Sequence, residues 1–228
     1  MFKLTPLGDC AIQVQFGDEI DNAVFEQVQV FLAKILHTQD QRVLDVVPAY
    51  TSVTIFYKPG IHYAQIAEWA RALDSGELLK NHIFTSPRIV EIPVCYGGEF
   101  GPDLDYIASY HRLSVTEVIN KHTTPLYRVY MIGFMPGFPY LGGLDPELTT
   151  PRLSSPRALV PMGSVGIAGG QTGVYPLESP GGWQLLGRTP KKMFNIRANP
   201  PTLLQSGDRV RFVAINEQEF CELEENSL

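Results

Sequence analysis

The segment LVPMGSVGIAGGQTGVY at residues 159–175 carries the strongest indication of the fold. Its apolar runs are short, and glycine or proline interrupts them repeatedly. Short β-favouring runs that alternate with turn residues are typical of an all-β barrel or sandwich. The same pattern continues on both sides of this segment, from residue 126 to residue 213. The chain is therefore predicted to contain a C-terminal β-domain.

Within this β-domain, strands are predicted where apolar runs recur between turn residues. The predicted strands are 126–132, 159–160, 164–168, 174–175, 183–186, 193–196 and 209–213. Two short helices are expected before them, one opened by Asp103 and one by Ser114, which forms a capping box with Glu117. The acidic segment 217–225 is interpreted as a solvated end of the chain.

The N-terminal part shows a different pattern, in which strands alternate with helices. The predicted elements are a strand at 10–16, a helix capped by Asp21, strands at 43–47 and 53–57, a helix through 66–73 and a strand at 89–94. This β-α-β-β-α-β order is that of ferredoxin-like α/β domains. The prediction is an α+β protein with domains at residues 1–86 and 87–228.

Composition excludes several classes of function. The 228 residues carry 18 basic and 24 acidic side chains, so the net charge of −6 provides no electrostatic footprint for nucleic acid. The helical pair holds only Arg112 and Lys121 as basic residues, which disfavours a DNA-binding helix-turn-helix. The three cysteines lack Cys-x-x-Cys spacing, which argues against a zinc ribbon. Without a signal-like or membrane-spanning apolar run, a cytoplasmic protein is expected.

Residues 131–190 are the expected functional region. They hold twelve of the 20 glycines and nine of the 18 prolines. Proline stiffens such a loop region, and glycine lets main-chain amides approach a ligand. The glycines of segment 166–173 are compatible with an amide nest for phosphate or carboxylate and equally with hairpin turns. The residues alone leave both interpretations open.

Arg152 and Arg157 flank Pro156 in the same region. Arginine presents a planar fork of donors that fits carboxylate or phosphate, so the two side chains are candidates for an anion clamp. The alternative is surface solvation or an internal salt bridge to Asp145 or Glu147. Both interpretations stay open at this point.

The region lacks a histidine and a lysine, and therefore an obvious general base. The five histidines of the chain are His37, His62, His82, His111 and His122. None forms a ligand pair, so each is expected to be a surface or capping side chain, and no metal site is expected. A region with the features of a site but no base suggests a site that is shared with another chain.

Three strings in this region resemble a known family: GFMPGFPYLGGL at 133–144, PMGSVGIAGGQTGVYP at 161–176 and SPGGWQLLGRTP at 179–190. Together they resemble the allophanate hydrolase subunit 1 family, which includes the B subunits of 5-oxoprolinase and the sporulation kinase inhibitor KipI. The layout of the remaining chain agrees with that family. Met162 stands where relatives more often have alanine.

The resemblance implies an N-terminal α/β domain followed by a cyclophilin-like β-barrel. It also implies that the chain works with two partners, a KipA-type protein (the 5-oxoprolinase C subunit, of the subunit 2 type) and a LamB/YcsF-type protein (the A subunit). Together they would open 5-oxo-L-proline to L-glutamate. ATP with Mg²⁺ is the implied cofactor, and the chain alone is expected to be inactive. The implied substrate- or phosphate-binding candidates are Arg152, Arg157, Gly170, Gln171, Thr172, Tyr175 and Arg188.

A second function is compatible with the same resemblance. A KipI-type inhibitor would bind the dimerisation domain of a sensor histidine kinase and would not need Arg152 or Arg157. A carboxyltransferase role with a biotinylated partner is less favoured, because Lys192 and Met193 reverse the order of a biotin-attachment signature. The sequence leaves open which residues are catalytic and whether ATP binds this chain or a partner.

Overall fold

A computed structural model describes residues 2–19, 21–75 and 87–226 of the chain. The chain divides into two compact units, Met1–Ser86 and Pro87–Leu228. Each unit has its own elements and its own buried core, and each is described separately below.

The N-terminal unit packs two helices on one face of a four-stranded sheet. Its elements are β1 (Lys3–Pro6), β2 (Ala11–Gln15), α1 (Asn22–Thr38), β3 (Val43–Pro48), β4 (Ser52–Tyr57) and α2 (Tyr63–Ser75). The sheet order is β1-β2-β4-β3, and every neighbouring pair is antiparallel. Asp21 caps α1 as predicted, since its side chain accepts a hydrogen bond from the Val24 amide at 2.8 Å. The apolar face of α1 contributes Val28, Phe31 and Ile35 to the core.

The ferredoxin-like prediction is not confirmed, because one edge of the sheet differs. In the predicted arrangement the strand at 89–94 would complete the N-terminal sheet, but Ile89–Tyr96 pairs with strands of the C-terminal unit instead. The edge position beside β2 is taken by β1, which the sequence analysis missed. β1 lies close to β2 in sequence, so the two strands pair as a hairpin that needs only a short loop. Strand 89–96 pairs over a longer stretch with a strand of the barrel.

The C-terminal unit is built on a closed β-barrel, which confirms the predicted β-domain. Its elements are β5 (Ile89–Tyr96), α3 (Leu104–His111), α4 (Val115–Thr123), β6 (Tyr127–Ile132), β7 (Pro139–Gly142), β8 (Arg157–Val160), β9 (Ser164–Ala168), β10 (Gln171–Val174), β11 (Ser179–Gly181), β12 (Gln184–Arg188), β13 (Arg209–Ile215) and α5 (Glu217–Glu225). The barrel order is β10-β7-β6-β13-β5-β12-β9, while β8 and β11 form a separate two-stranded sheet. The finer assignment to the cyclophilin-like class stays a prediction.

Inward-facing side chains fill the barrel, so it is a packed core rather than a pore. Val165 and Ile167 of β9 and Phe212 of β13 belong to its main apolar cluster, together with Leu104 and Val118 from the two preceding helices. The Ser114 capping box of α4 forms as predicted. These helices therefore share the barrel core, and they fix the position of the loops around it.

One prediction about the C-terminal unit was wrong, and one was incomplete. The stretch 193–196 is not a strand and contributes only an isolated bridge between Phe194 and Thr202. The segment 217–225 is solvent-exposed as predicted except at Phe220, but it forms the helix α5: Asn216 and Glu219 form its capping box, and Phe220 is buried against the barrel. No helix in the described ranges is long and apolar enough to cross a membrane.

Candidate functional site

Arg157 is held in an internal salt bridge. Its Nη2 atom lies 2.6 Å from Oδ1 of Asp103, and its Nη1 atom donates to the Trp183 carbonyl at 3.2 Å. The second oxygen of Asp103 accepts from the Leu185 amide at 2.6 Å. The carboxylate thus ties α3 to both β8 and β12. The internal salt bridge considered from the sequence exists, but its partner is Asp103.

Asp145 and Glu147, the two carboxylates considered from the sequence as partners of the arginines, pair with a lysine instead. Asp145 and Glu147 lie 3.0 and 2.6 Å from Nζ of Lys121 on α4. The Glu147 amide and the lysine lower the pKa of Asp145. Because these groups already neutralise each other, the turn at 145–147 anchors α4 rather than Arg157.

Phe138, Tyr175 and Trp183 form a buried aromatic cluster near Arg152 and Arg157. The Phe138 ring meets Tyr175 at 5.4 Å and Trp183 at 5.5 Å between centroids, both edge to face. Burial raises the pKa of the Tyr175 hydroxyl, while the Trp183 backbone and the two guanidinium charges act in the opposite direction. The fold therefore brings three of the seven predicted site residues close together, with Tyr175 buried and Arg152 exposed.

Glycine is required beside this hydroxyl. A Cβ atom on Gly181 would lie 2.5 Å from the Tyr175 hydroxyl oxygen, which real side chains do not tolerate. The small β8–β11 sheet can therefore lie directly against the aromatic cluster.

The glycines at 169–170 form a hairpin turn. Ala168 pairs with Gln171 across the β9–β10 connection, so Gly169 and Gly170 are its two loop residues. Gly169 has a positive φ of 56° and donates its amide to the Thr150 carbonyl at 2.7 Å. Because the Gly169 amide already donates to Thr150, it is not available to a phosphate or carboxylate. The structure therefore favours the hairpin turn over the amide nest. Gly170 is exposed, and Gln171 is half-buried beside it.

Thr172 points into the barrel and ends a buried chain of hydrogen bonds. Its Oγ1 lies 2.9 Å from Nε2 of His122 and donates to the Gly166 carbonyl at 3.0 Å, and His122 Nδ1 lies 2.7 Å from the Tyr96 hydroxyl. One direction satisfies every group: Tyr96 donates to a neutral His122, which donates to Thr172, which donates to Gly166. Burial lowers the pKa of His122 to about 3, which keeps the ring neutral.

His122 was predicted to be a surface or capping side chain, so its place in the core was not foreseen. His122 is fully buried and stacks on Phe212 at 4.5 Å. A second histidine, His111, contacts the buried Thr150 hydroxyl through Nε2 at 2.9 Å. Spacing gave no signal for either contact, because each joins a helix to a residue far along the chain. The functional region therefore has histidine neighbours after all.

Arg188 lies apart from these groups in a different kind of environment. Its guanidinium carbon is 4.7 Å from the Phe100 ring centroid and 5.3 Å from that of Phe220. Its side chain is partly exposed, but its Nε atom is buried and has no acceptor among the described residues. The predicted site residues therefore fall into three places: the neighbourhood of the aromatic cluster, the β9–β10 hairpin with the buried Thr172, and the Arg188 stack.

The described residues contain no group of three or more His, Cys, Asp or Glu side chains that could hold a metal ion. His82 lies outside the described residues.

Comparison with known proteins identifies the relatives of this chain. The family model described as carboxyltransferase domain, subdomain C and D, matches residues 2–204. The 5-oxoprolinase B subunit of Bacillus subtilis is 45% identical over 235 residues, and the match covers 99% of this chain and 98% of the relative. The protein of the same name from Haemophilus influenzae is 40% identical over 211 residues, with 92% of this chain and 97% of the relative covered.

A solved structure has the same fold. The crystal structure of TTHA0988 is 36% identical and superimposes with a TM-score of 0.79 over 90% of this chain. The match covers 40% of the TTHA0988 chain, so that protein carries additional polypeptide beyond the region in common.

Proposed function

This chain belongs to the family of carboxyltransferase subdomains C and D that includes the 5-oxoprolinase B subunits, and on that premise we propose that it is one subunit of an ATP-dependent 5-oxoprolinase. The observation that carries the proposal is the end-to-end match to the Bacillus subtilis protein, at 45% identity over 99% of this chain. A match over both full lengths relates the whole molecules rather than one shared fold.

The proposed reaction is the opening of 5-oxo-L-proline to L-glutamate. The lactam is a stable amide, so its carbonyl oxygen needs activation before water can attack. Transfer of the ATP γ-phosphoryl group to that oxygen releases ADP, a first water then opens the ring to an acyl phosphate, and a second water releases phosphate and L-glutamate. Substrate and intermediates carry a carboxylate and a phosphate, which arginine forks and backbone amides stabilise.

The aromatic cluster and the arginines beside it supply part of what this chemistry requires. Arg152 is exposed and its charge acts on the buried Tyr175 hydroxyl, so its guanidinium can bind the substrate carboxylate at the surface. Arg157 is bonded to Asp103 and therefore positions the loop that carries Arg152. Arg152 is thus the proposed substrate-binding residue of this surface.

Partner proteins complete the proposed site. Nucleotide binding is assigned to the assembly with the KipA-type and LamB/YcsF-type partners. The longer TTHA0988 chain supports a partner, because in that protein the same fold is joined to further polypeptide. A site built between chains also accounts for the scarcity of acid–base groups in the Gly- and Pro-rich region 131–190.

The test is ATP hydrolysis that depends on 5-oxoproline. This chain is purified alone and with its two candidate partners, and ADP release is measured with and without 5-oxoproline. We expect turnover only in the complete assembly, and a loss of about tenfold or more in kcat/KM for Arg152→Gln, which removes a charge-assisted hydrogen bond. Arg197→Gln removes the same charge from an exposed loop and is the matched control.

Absence of turnover in a well-formed assembly would contradict the proposal. Tight binding to a histidine kinase dimerisation domain, unaffected by Arg152→Gln, would then favour the KipI-type inhibitor. Equal losses of kcat/KM in Arg152→Gln and Arg197→Gln would show that Arg152 is not part of the site. That result would not contradict the role of the chain in the enzyme.

A further inference from the structure

Hydrogen bonding fixes which nitrogen of the His111 ring carries the hydrogen atom. The Thr150 hydroxyl has a single hydrogen and donates it to the Leu148 carbonyl at 2.9 Å. The same hydroxyl oxygen lies 2.9 Å from Nε2 of His111, so it must accept from an Nε2–H group. The neutral His111 ring therefore presents an unprotonated Nδ1.

The Nδ1 atom of His111 is not used within the described part of the fold. There the ring has a single hydrogen bond, through Nε2, and packs edge to face on Tyr110 at 4.8 Å between centroids. His122 differs, because both of its ring nitrogens are bonded, to Tyr96 and to Thr172. A histidine that is oriented through one nitrogen and keeps the other available has the arrangement of a positioned acid–base group.

The backbone of residues 150–153 is held in place next to this ring. Three hydrogen bonds fix it on both sides of Arg152: the Gly169 amide donates to the Thr150 carbonyl at 2.7 Å, Gln184 Nε2 donates to the Pro151 carbonyl at 3.1 Å, and the Leu153 amide donates to the Gly182 carbonyl at 2.7 Å. His111 bonds the first residue of this segment, two positions before Arg152. The ring and the proposed substrate-binding arginine therefore share one fixed support.

The surface around His111 is open. Gly169 and Gly170 form the tip of the hairpin that bonds Thr150, and a Cβ atom on either glycine would have no neighbour within 4 Å. His111 itself is half-buried, and Tyr110 beside it is 51% exposed. A small molecule or a partner chain therefore has room to reach this surface.

We propose that His111 is the acid–base residue of the ring-opening step and acts through Nδ1. This inference rests on the proposed function, which supplies the phosphorylated lactam as the reacting group. Water attacks the ring carbon that carries the phosphoryl oxygen, and Nδ1 takes one proton from that water. When the carbon–nitrogen bond breaks, the imidazolium returns this proton to the ring nitrogen, and the second proton of the water reaches the same nitrogen as the carbonyl forms. His111 is then neutral again.

Other acid–base groups near this surface are already committed. His122 is fully buried with both nitrogens bonded, and Asp145 and Glu147 are paired with Lys121. His111 comes from α3, outside residues 131–190, so it brings a histidine to a region that has none of its own.

The first test is ¹⁵N NMR of the histidine rings in this chain alone. We expect His111 to be the Nε2–H tautomer when neutral, with Nδ1 gaining a proton as the pH is lowered. Thr150→Val removes the acceptor at similar volume, so the variant should show a mixture of both neutral tautomers, and a thermal melt checks its folding. A neutral His111 of the parent chain that carries its hydrogen on Nδ1 would overturn the proposal.

The second test is turnover by the complete assembly with His111→Gln. Glutamine can still donate to Thr150 but cannot take up a proton, so a purely structural histidine would be replaced without loss. We expect kcat to fall by about 100-fold or more, with assembly and melting temperature maintained. His37→Gln, at an exposed position, is the control. Turnover by His111→Gln equal to that of the control would overturn the proposal.

Two further measurements separate proton transfer from packing. The kcat of the parent assembly should fall as low pH protonates Nδ1, and the residual turnover of His111→Gln should lack this fall. Imidazole added to His111→Ala should restore turnover in a saturable manner. A fall at low pH that persists in His111→Gln, with no restoration by imidazole, would assign the titration to another group and overturn the proposal.

The neighbouring charges are controlled in the same pH profile. The charged and titratable side chains next to His111 in sequence, and on the segments around it, are Tyr110, Arg112, Lys121, Asp145, Glu147 and Arg152. Lys121 and its two carboxylates neutralise one another. Arg152→Gln is expected to lower turnover but to keep the fall at low pH.

Failure of this inference is distinguishable from failure of the proposed function. If the parent assembly forms glutamate and His111→Gln forms it at the same rate, this inference is wrong and the enzyme role stands. If the complete parent assembly forms no glutamate, the enzyme role is contradicted and this inference with it.

Discussion

Arg157 and Arg188 come from the same Gly- and Pro-rich stretch, yet their surroundings in the barrel unit are of opposite kinds. Around Arg157 the polar groups are matched: the Asp103 carboxylate accepts from the guanidinium through one oxygen and from the Leu185 amide through the other. Around Arg188 the contacts are aromatic, and the buried Nε–H group has no acceptor among the described residues.

The difference shows that an arginine is not necessarily a binding residue because it stands in the family motif. A paired arginine stabilises the fold, and its removal leaves a buried carboxylate without its partner. An arginine that packs against aromatic faces contributes less to the stability of the fold, so its removal is expected to cost less. Of the four variants below, three are ordered by their expected cost in stability, and His122→Gln tests how stability depends on pH.

Asp103→Ala is expected to have the largest effect. It leaves Nη2 of Arg157 and the buried Leu185 amide without their acceptor, and we expect a loss of about 3 kcal/mol in the free energy of unfolding. Denaturant unfolding followed through Trp183 fluorescence in a Trp69→Phe background measures this. Asp105→Ala, on the first turn of α3, is the control and is expected to cost a few tenths of a kcal/mol, about one tenth as much. If Asp103→Ala lowered the free energy of unfolding no more than Asp105→Ala does, the hydrogen bonds of Asp103 to Arg157 and Leu185 would not stabilise the fold as described.

His122→Gln is expected to change how stability depends on pH. The pKa of His122 is about 3 in the fold and close to 6.5 when unfolded, so only the unfolded chain takes up this proton between those values. The free energy of unfolding therefore falls as pH is lowered through this window, by up to about 1.4 kcal/mol per pH unit. Glutamine can accept from Tyr96 and donate to Thr172 without titrating, so the variant's curve should be flatter.

Unfolding of both proteins at pH 7, 6, 5 and 4 tests this expectation, with His37→Gln on an exposed position as control. A His122→Gln curve as steep as that of the parent chain would show that the ring takes up its proton in the folded state.

Arg157→Gln is expected to cost less than Asp103→Ala, about 1–2 kcal/mol. Asp103 keeps its bond from the Leu185 amide, and the guanidinium that it loses is partly exposed, so solvent replaces part of the interaction. The double variant that combines Arg157→Gln with Asp103→Ala should cost little more stability than Asp103→Ala alone, since both substitutions remove the same interaction. Additive losses in this cycle would mean that the two side chains act independently.

Arg188→Gln is expected to have the smallest effect on stability, about 0.5–1 kcal/mol, through the lost contact with two aromatic rings. The same unfolding measurement applies. A loss as large as that of Asp103→Ala would mean that Arg188 is a structural residue, and it would remove the contrast with Arg157.

Local elements could be predicted from the sequence where one side chain determines them. Asp21 and Ser114 cap α1 and α4 as expected, because an N-cap hydrogen bond involves residues only three apart. The same signal, Asn216 followed by Glu219, was present at α5, but the acidic composition of the tail was given more weight. The apolar run at 164–168 coincides with β9, since glycines and prolines mark its ends.

Long-range partners could not be predicted in the same way. Asp103 and Arg157 are 54 residues apart, and His122 and Thr172 are 50 apart. Their contacts depend on the register of β9, β10 and β12 and on how the helices enter the barrel, which no single segment encodes. The strand at 89–96 shows the same limit: its pattern predicts a strand, but its hydrogen-bonding partners were assigned to the wrong sheet.

The central claim, that this chain is a working component of a 5-oxoprolinase, is tested most directly by following the product. The assembly with the KipA-type and LamB/YcsF-type partners is supplied with ATP and ¹³C-labelled 5-oxoproline, and labelled glutamate is measured by NMR alongside ADP, with and without this chain. The account predicts one glutamate for each ADP, only when this chain is present. Glutamate formed at the same rate without it, or ADP formed without glutamate, would contradict the claim.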